Sequence, residues 1–177
     1  MNLFISPHND DEALFGAYTL LREKPLVLMV TDSYIQFNRG DRITAEQRRQ
    51  ETINALKILG CPVFFAGLRD DTLSEEKLRL LFPNFVGFKK IYAPAIHENG
   101  NFHHNMIGKV AKEFFEVTTY TSYNRTNLWI NGTREIKPTQ IEIDIKNQAL
   151  NCYTSQINLP STAPHFIAVR GRSEWYE

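Results

Sequence analysis

The sequence predicts an α/β fold, a three-layer sandwich in which helices cover both faces of a mostly parallel central sheet. Apolar runs of strand length alternate with stretches of helical periodicity between residues 3 and 115. The first strand, helix and second strand fit within about thirty residues, the size of a βαβ unit. Such alternation is typical of parallel sheets that are buried on both faces.

Four apolar runs are predicted to form the strands of this sheet. Each is short, rich in branched or aromatic side chains, and followed by Pro, Gly or polar residues that end it. They are residues 3–5, 26–30, 63–66 and 90–93. Further strands are predicted at 117–123, at 127–130 and at 140–145, where Ile alternates strictly with polar residues.

Helices are predicted where apolar residues recur at helical spacing. One begins after Glu12, and the others cover 45–59, 75–81, 106–115 and 146–153. Thr44 and Gln47 have the spacing of a capping box, and Gly60 suits the end of the same helix. Ser74 can cap the next one. Residues 34–43 are polar and are predicted to form a loop.

The composition is that of a globular protein with a single domain spanning residues 1–177. Lys plus Arg and Asp plus Glu number 20 each, so the formal net charge is zero. Nucleic-acid binding and binding to anionic membranes are therefore not expected, because both usually need a basic surface. No apolar run has the length of a membrane span, and the N-terminus lacks the pattern of a secretory signal. A cytoplasmic location is expected, with Cys61 and Cys152 as free thiols.

A polar cluster follows the first predicted strand, where residues 8–12 read His-Asn-Asp-Asp-Glu. In open α/β sheets, ligands bind in the crevice beyond the carboxyl ends of the strands. Acidic residues at a helix N-terminus can also be simple caps, which would leave His8 unexplained. Asp32 lies at the corresponding end of the second strand, where a turn or cap aspartate is the simpler interpretation.

A second polar cluster follows the fourth strand and contains three of the five histidines, at positions 97, 103 and 104. Because it leaves the carboxyl end of a predicted parallel strand, it can face His8 and Asp11 across one crevice. Two histidines and one carboxylate form the ligand set of a catalytic zinc with an open coordination position. Asp10 would then be free to act as a general base, which favours hydrolysis of an amide or ester. A dinucleotide cofactor is disfavoured because no glycine-rich fingerprint is present.

These motifs resemble those of the PIG-L (LmbE-like) family of zinc-dependent de-N-acetylases. The segment 6–12, SPHNDDE, resembles its PHxDDE signature, and 30–32, VTD, resembles the end of its second strand. The helix segment beginning at Arg48 and containing Glu51 resembles its RxxE helix. The segment 101–104, NFHH, lies where the family has (H/N)-x-D-H. Finally, 146–156 resembles a late segment with the pattern K..AL..H.SQ.

The resemblance implies a Rossmann-like three-layer sandwich and a deacetylase acting on an N-acetylated amino sugar, a glycoconjugate or a related small amide. The residues implied for the site are the metal ligands His8, Asp11 and His104, the general base Asp10, the oxyanion or leaving-group residue Asn101, and the substrate-binding residues Arg48 and Asp32. Zinc is the expected cofactor, and iron can compete for such a site.

The sequence departs from the family pattern at three positions. Asn101 can donate a hydrogen bond but cannot supply a proton as an imidazolium would. His103 replaces a carboxylate that could orient a zinc ligand, and Tyr153 replaces a late histidine. A module that binds zinc or sugar without turnover is therefore the alternative. A metal-dependent phosphoesterase is a weaker alternative, because few cations are available to hold phosphate.

Overall fold

The structure, a computed structural model, describes residues 1–32, 36–38 and 41–177. Within them, seven strands form one sheet and two form a separate antiparallel hairpin. The strands are β1 (Leu3–Ser6), β2 (Leu26–Thr31), β3 (Gln36–Asn38), β4 (Asp41–Ile43), β5 (Val63–Leu68), β6 (Ile91–Pro94), β7 (Val117–Tyr120), β8 (Arg134–Ile136) and β9 (Glu174–Tyr176). The helices are α1 (Asp11–Phe15), α2 (Ala17–Glu23), α3 (Ala45–Leu59), α4 (Glu75–Leu81), α5 (Phe102–Phe114), α6 (Gln140–Leu150), α7 (Thr154–Ile157) and α8 (Ala163–Ala168).

The order of the seven strands is β5-β2-β1-β6-β7-β9-β8. The first five run parallel, and β9 and β8 add an antiparallel edge. The chain moves outward from β1 through β2 to β5, and then returns to place β6 on the other side of β1. Strands β1 and β6 are therefore neighbours whose following segments leave in opposite directions. This is the topological switch point at which α/β sheets bind ligands.

Two apolar cores cover the two faces of the sheet, as the mostly parallel α/β sandwich predicts. Alternate residues of β1 contribute to each, because successive side chains of a strand point to opposite faces. Phe4 packs with α1, α2, α3 and α6, whereas Leu3 and Ile5 pack with α4 and α5. No helix among the described residues is long and apolar enough to cross a membrane.

The strict Ile alternation at 140–145 wrongly predicted a strand, since these residues form the first half of helix α6. Thr139 and Glu142 form a complete capping box at its N-terminus. This reciprocal pairing satisfies the free N–H groups of the first turn. Ile141, whose side chain is 71% exposed, is not a core residue. Local capping therefore decided the conformation over the alternating pattern.

Other boundaries also differ from the sequence predictions. Helix α5 begins at Phe102, four residues earlier than predicted, so that His103 and His104 belong to its first turn. Residues 127–130 form no strand, and part of the predicted loop 34–43 is the β3–β4 hairpin, while 33–35 and 39–40 lie outside the described residues. The first helix is interrupted at Gly16, where a Cβ atom would overlap the ring of Phe4. The predicted bounds and N-caps of α3 and α4 are confirmed.

A buried ion pair joins helix α6 to the C-terminal strand. The Lys146 ammonium lies 3.0 Å from the Glu174 carboxylate and donates to the Leu14 carbonyl at 2.9 Å, and both side chains of the pair are fully buried. Glu174 also accepts hydrogen bonds from the backbone N–H groups of Tyr18 and Thr19, at the start of α2. Burial lowers the pKa of Lys146, and the adjacent carboxylate counteracts that shift. The pair thus connects four elements, α1, α2, α6 and β9.

We expect Glu174→Gln to lower the free energy of unfolding by about 3–5 kcal/mol, because it leaves the Lys146 charge buried without its partner. Urea unfolding monitored by circular dichroism measures this change. Glu113→Gln, which breaks the exposed ion pair with Arg79, is the control and should shift the curve little. Equal unfolding curves for Glu174→Gln and the wild type would contradict the role assigned to the pair.

Candidate metal and catalytic site

The segments that follow β1 and β6 meet at the switch point. Residues 7–10 leave β1 and enter α1, and residues 95–101 leave β6 and enter α5. Because β1 and β6 are paired in the sheet, these segments lie side by side although about 90 residues separate them in the chain. The two polar clusters predicted from the sequence therefore belong to one site.

Three side-chain atoms converge there. Asp11 Oδ2 lies 3.0 Å from His8 Nδ1 and 2.9 Å from His104 Nε2, and the two histidine nitrogens are 3.3 Å apart. Ligand atoms in a tetrahedral zinc site lie about 3.3–3.5 Å from one another, given bond lengths of about 2.0–2.2 Å. These separations are close to the observed ones. Among the described residues, this is the one cluster of His, Cys, Asp or Glu side chains compact enough to hold a metal.

The surroundings of the cluster hold its three candidate ligand atoms in place. Asp11 and His104 are almost completely buried, and His104 Nδ1 lies 3.1 Å from the Ser122 hydroxyl. The backbone N–H of His8 donates to Asp11 Oδ2 at 3.0 Å. Burial alone would raise the pKa of Asp11, but His104 and His8 outweigh it and hold the pKa well below its usual range. The carboxylate is therefore ionised and available as a ligand.

His103 contacts the ring of His8 from the outside. Its Nδ1 atom lies 2.9 Å from His8 Nε2, the nitrogen that points away from Asp11. Burial and the nearby His8 lower the pKa of His103, so that its neutral ring can accept the proton of His8 Nε2. A hydrogen bond of this kind fixes the orientation and tautomer of a metal-ligating histidine. The position that departs from the family pattern thus still contains a group that orients His8.

Asp10 lies between helix α3 and the cluster formed by His8, Asp11 and His104. Its carboxylate accepts a hydrogen bond from Arg48 at 3.1 Å, and Arg48 also donates to the Asn9 carbonyl. Asp10 has φ = 154°, an uncommon value for a residue other than glycine. Burial raises the pKa of Asp10 to about 6, although the charge of Arg48 opposes that rise.

Glu12 and Tyr153 form a buried contact behind the site. The Tyr153 hydroxyl donates to Glu12, whose other oxygen accepts from the Ser6 hydroxyl and the Asp10 backbone N–H, both at 3.2 Å. Burial raises the pKa of Glu12 to about 8. Tyr153 is completely buried, and through its contact with Glu12 it supports the turn that contains Asp10.

Asn101 is the N-cap of helix α5. Its Oδ1 atom accepts from the backbone N–H groups of His103 and His104, at 2.8 and 3.4 Å, and its Nδ2 atom donates to the Tyr123 hydroxyl at 2.9 Å. The residue therefore positions the turn that carries His104. Its side chain also lines the cavity next to the metal cluster.

Two further residues singled out in the sequence make ion pairs or caps nearby. Asp32 accepts a bidentate contact from Arg49, with distances of 2.8–3.0 Å, and is not among the residues that line the cavity. Glu51 accepts from the Ser155 backbone N–H and hydroxyl, both at 2.7 Å, and so caps helix α7. The substrate-binding role of Asp32 stays a prediction.

A cavity of about 260 Å³ opens beside the metal cluster. The site residues predicted from the sequence that line it include Asp10, Arg48 and Asn101. It also contains Tyr123 and His165, which the sequence did not single out. Their rings are in contact, with centroids 4.4 Å apart and planes tilted by 47°. His165 directly precedes the last apolar run, residues 166–169, and has no motif around it, so only the fold brings it to the site.

Comparison with known proteins identifies the family. Residues 3–115 match the model of the PIG-L family, described as GlcNAc-PI de-N-acetylase. The chain belongs to the PIG-L family. It is therefore a metal-dependent amidohydrolase of the deacetylase type. No curated protein shows significant similarity to the sequence.

Solved structures share the fold of this PIG-L protein over 99% of its length. N,N'-diacetylchitobiose deacetylase from Pyrococcus horikoshii has a TM-score of 0.76 with 17% identity, and the match covers 82% of the deacetylase chain. A deacetylase of the teicoplanin biosynthetic pathway has a TM-score of 0.69 with 18% identity and 96% coverage. GalB, the 4-carboxy-2-hydroxymuconate hydratase from Pseudomonas putida KT2440, has a TM-score of 0.71 with 14% identity and 94% coverage. At these identities, the likeness shows the fold alone.

We expect His8→Ala and His104→Ala to lose the bound metal, because each removes one of three ligands. Metal analysis of the purified proteins by mass spectrometry checks this. His97→Ala is the matched control, since His97 lies in the same β6–α5 segment but outside the cluster. Full metal content in His8→Ala would refute the ligand assignment.

His103→Ala should weaken metal affinity by about 10- to 100-fold without abolishing it, because the ring orients His8 but is not itself a ligand. Competition with a zinc chelator measures the affinity. His103→Asn, which can still accept a hydrogen bond, should restore part of the loss. An unchanged affinity in His103→Ala would show that the contact with His8 has no effect on the metal.

Proposed function

We propose that this protein hydrolyses the N-acetyl group of an amino sugar or a related small N-acylated compound, releasing acetate and a free amine. The observation that carries the proposal is the arrangement of Asp10 beside the cluster of His8, Asp11 and His104. Asp10, His8 and Asp11 line one cavity, and His104 is buried behind them. The fold alone would not decide the reaction, because a hydratase shares it.

His8, Asp11 and His104 would hold a divalent metal, with zinc as the expected ion. When bound, such a metal polarises an acyl carbonyl and lowers the pKa of water towards neutrality. The burial of Asp11 and His104 and the hydrogen bond from His103 to His8 keep these ligand atoms ordered. The remaining chemistry is assigned to Asp10 and to the residues that line the cavity.

Asp10 acts as the general base in this proposal. It takes a proton from the attacking water and then returns it to the nitrogen of the departing amine. The hydrogen bond from Arg48 fixes its carboxylate, and the adjacent N–H bond to Glu12 fixes its backbone. Asp10 serves both proton steps, because the Asn101 amide can donate a hydrogen bond but does not release a proton.

Asn101 and Arg48 complete the proposed site. One N–H of the Asn101 amide donates to Tyr123, and its second N–H is the group that could stabilise the acyl oxygen. Arg48 lines the cavity while it contacts Asp10, so its charge can also bind the substrate. The volume of about 260 Å³ lies just below the roughly 300–1,000 Å³ of pockets for drug-sized ligands. A cavity of this size suits a single amino-sugar ring.

We expect Asp10→Asn to lower kcat by about 10²- to 10⁴-fold at unchanged metal content, because it removes the general base. The assay is acetate release from the methyl glycoside of N-acetylglucosamine. Asp71→Asn is the control, since Asp71 is exposed, pairs with Arg69 and does not line the cavity.

Two results would contradict parts of the proposal. Hydrolysis by Asp10→Asn at the wild-type rate would overturn the role of Asp10. Tight binding of N-acetylated sugars by the metal-loaded wild type, with no acetate release across a panel of them, would instead favour the non-catalytic binding module.

A further inference from the structure

A second cavity, of about 390 Å³, adjoins the first. Three residues, Asn101, Tyr123 and His165, line both of them. The other residues of the second cavity come from the segments 99–102 and 124–128. A ligand whose acetyl group lies at the candidate metal site can therefore extend past Tyr123 and His165 into the second cavity.

The walls of the second cavity are tied to each other. The backbone N–H of Arg125 donates to the Asn99 carbonyl at 3.0 Å, and Gly100 and Asn124 form an isolated β-bridge. Asn124 Oδ1 accepts from the Thr126 and Asn127 backbone N–H groups, at 3.1 and 2.8 Å. These bonds fix the turn that presents Arg125, so the cavity is formed before a ligand arrives.

The two cavities differ in charge. The first is lined by three carboxyl groups, those of Asp10, Asp11 and Asp70, and by one guanidinium, that of Arg48. None of the described residues that line the second has a carboxylate side chain, and one of them is Arg125. The guanidinium of Arg125 makes no ion pair or side-chain hydrogen bond with the described residues. An arginine that lacks a carboxylate partner and lines a cavity is suited to a bidentate contact with an anionic group.

The second cavity also has an apolar side. Phe102 is 68% exposed and Leu128 is 44% exposed, and both line it. Exposed aromatic and aliphatic side chains beside a cation can contact the carbon skeleton of a ligand whose charged end is bound by the cation.

We propose that the second cavity binds an anionic group, a carboxylate or a phosphate, that is attached to the amino sugar on the side away from its acetyl group. Arg125 binds the anion, and Phe102 and Leu128 contact the linking atoms. The inference rests on the proposed deacetylase function and adds the class of substrate. Arg125 and His165 lie beyond residues 3–115, so the stretch that identifies the family does not supply this site.

Steady-state kinetics on three substrates tests this subsite. The probes are the methyl glycoside, the carboxymethyl glycoside and the 1-phosphate of N-acetylglucosamine. In the wild type, we expect the better of the two anionic probes to have a KM about tenfold or more below that of the methyl glycoside. In Arg125→Gln, this ratio should fall to near one. Whichever anionic probe depends more strongly on Arg125 identifies the group as carboxylate or phosphate.

Arg172→Gln is the matched control, because Arg172 is an exposed arginine that lines neither cavity. It should keep the wild-type ratio of KM values. Equal KM values for charged and neutral probes in the wild type, or an unchanged ratio in Arg125→Gln, would overturn the subsite while leaving the deacetylase proposal intact.

A binding measurement separates failure of the subsite from failure of the proposed function. If none of the three probes releases acetate, the deacetylase proposal fails, and calorimetry with the carboxymethyl and methyl glycosides of glucosamine then decides the subsite. Tighter binding of the charged glycoside that is lost in Arg125→Gln would support it. Equal binding of the two glycosides would overturn it.

Discussion

The buried carboxylate of Asp11 is the group on which the arrangement of the site depends. A carboxylate with 2% exposure is stable only if charged or hydrogen-bonding partners replace the water it has lost. Here the partners are His8, from the same turn, and His104, from the first turn of helix α5 after strand β6. That contact is possible because β1 and β6 are adjacent strands. The sheet order thus has a direct chemical consequence, since the pairing of β1 with β6 brings His104 to Asp11.

The acidic residues around Asp11 have separate structural tasks, although they are consecutive in the sequence. Asp10 contacts Arg48 of α3, and Glu12 accepts the hydroxyl of Tyr153. Each contact joins the turn after β1 to a different later element. The N-terminal turn is therefore held by the C-terminal part of the chain as well as by the family-matched stretch, and Lys146 contributes through its bond to the Leu14 carbonyl.

Sequence reasoning predicted the first 115 residues better than the rest, for physical reasons. In the first part, apolar strands, N-caps such as Thr44 and Ser74, and helical periodicity agree with each other. In the second part they conflict. The Ile alternation at 140–145 indicates a strand, while the capping box at Thr139 starts a helix, and the helix forms. The antiparallel strands β8 and β9 are three residues long, too short to give a periodic signal.

The site was predictable only as far as its residues stood in motifs. His8, Asp11 and His104 belong to two clusters that the strand order brings together, so local pattern and topology sufficed. Tyr123 and His165 reach the cavity through the packing of α8 against the segment after β7, which no local pattern encodes.

One of the three departures from the family pattern changes the negative charge of the site. His103, where the pattern has aspartate, removes a negative charge from the neighbourhood of His8, yet still accepts a hydrogen bond from it. Asn101 is neutral, and Tyr153 is buried against Glu12 and does not line either cavity. The surroundings of His8 therefore contain one carboxylate fewer than the family pattern has. Since like charges repel most strongly where water is excluded, the neutral His103 ring would lower the cost of bringing the proposed anionic substrate to the cavity beside His8. His103 thus supplies a hydrogen-bonding partner for His8 without adding a charge that would repel the proposed substrate.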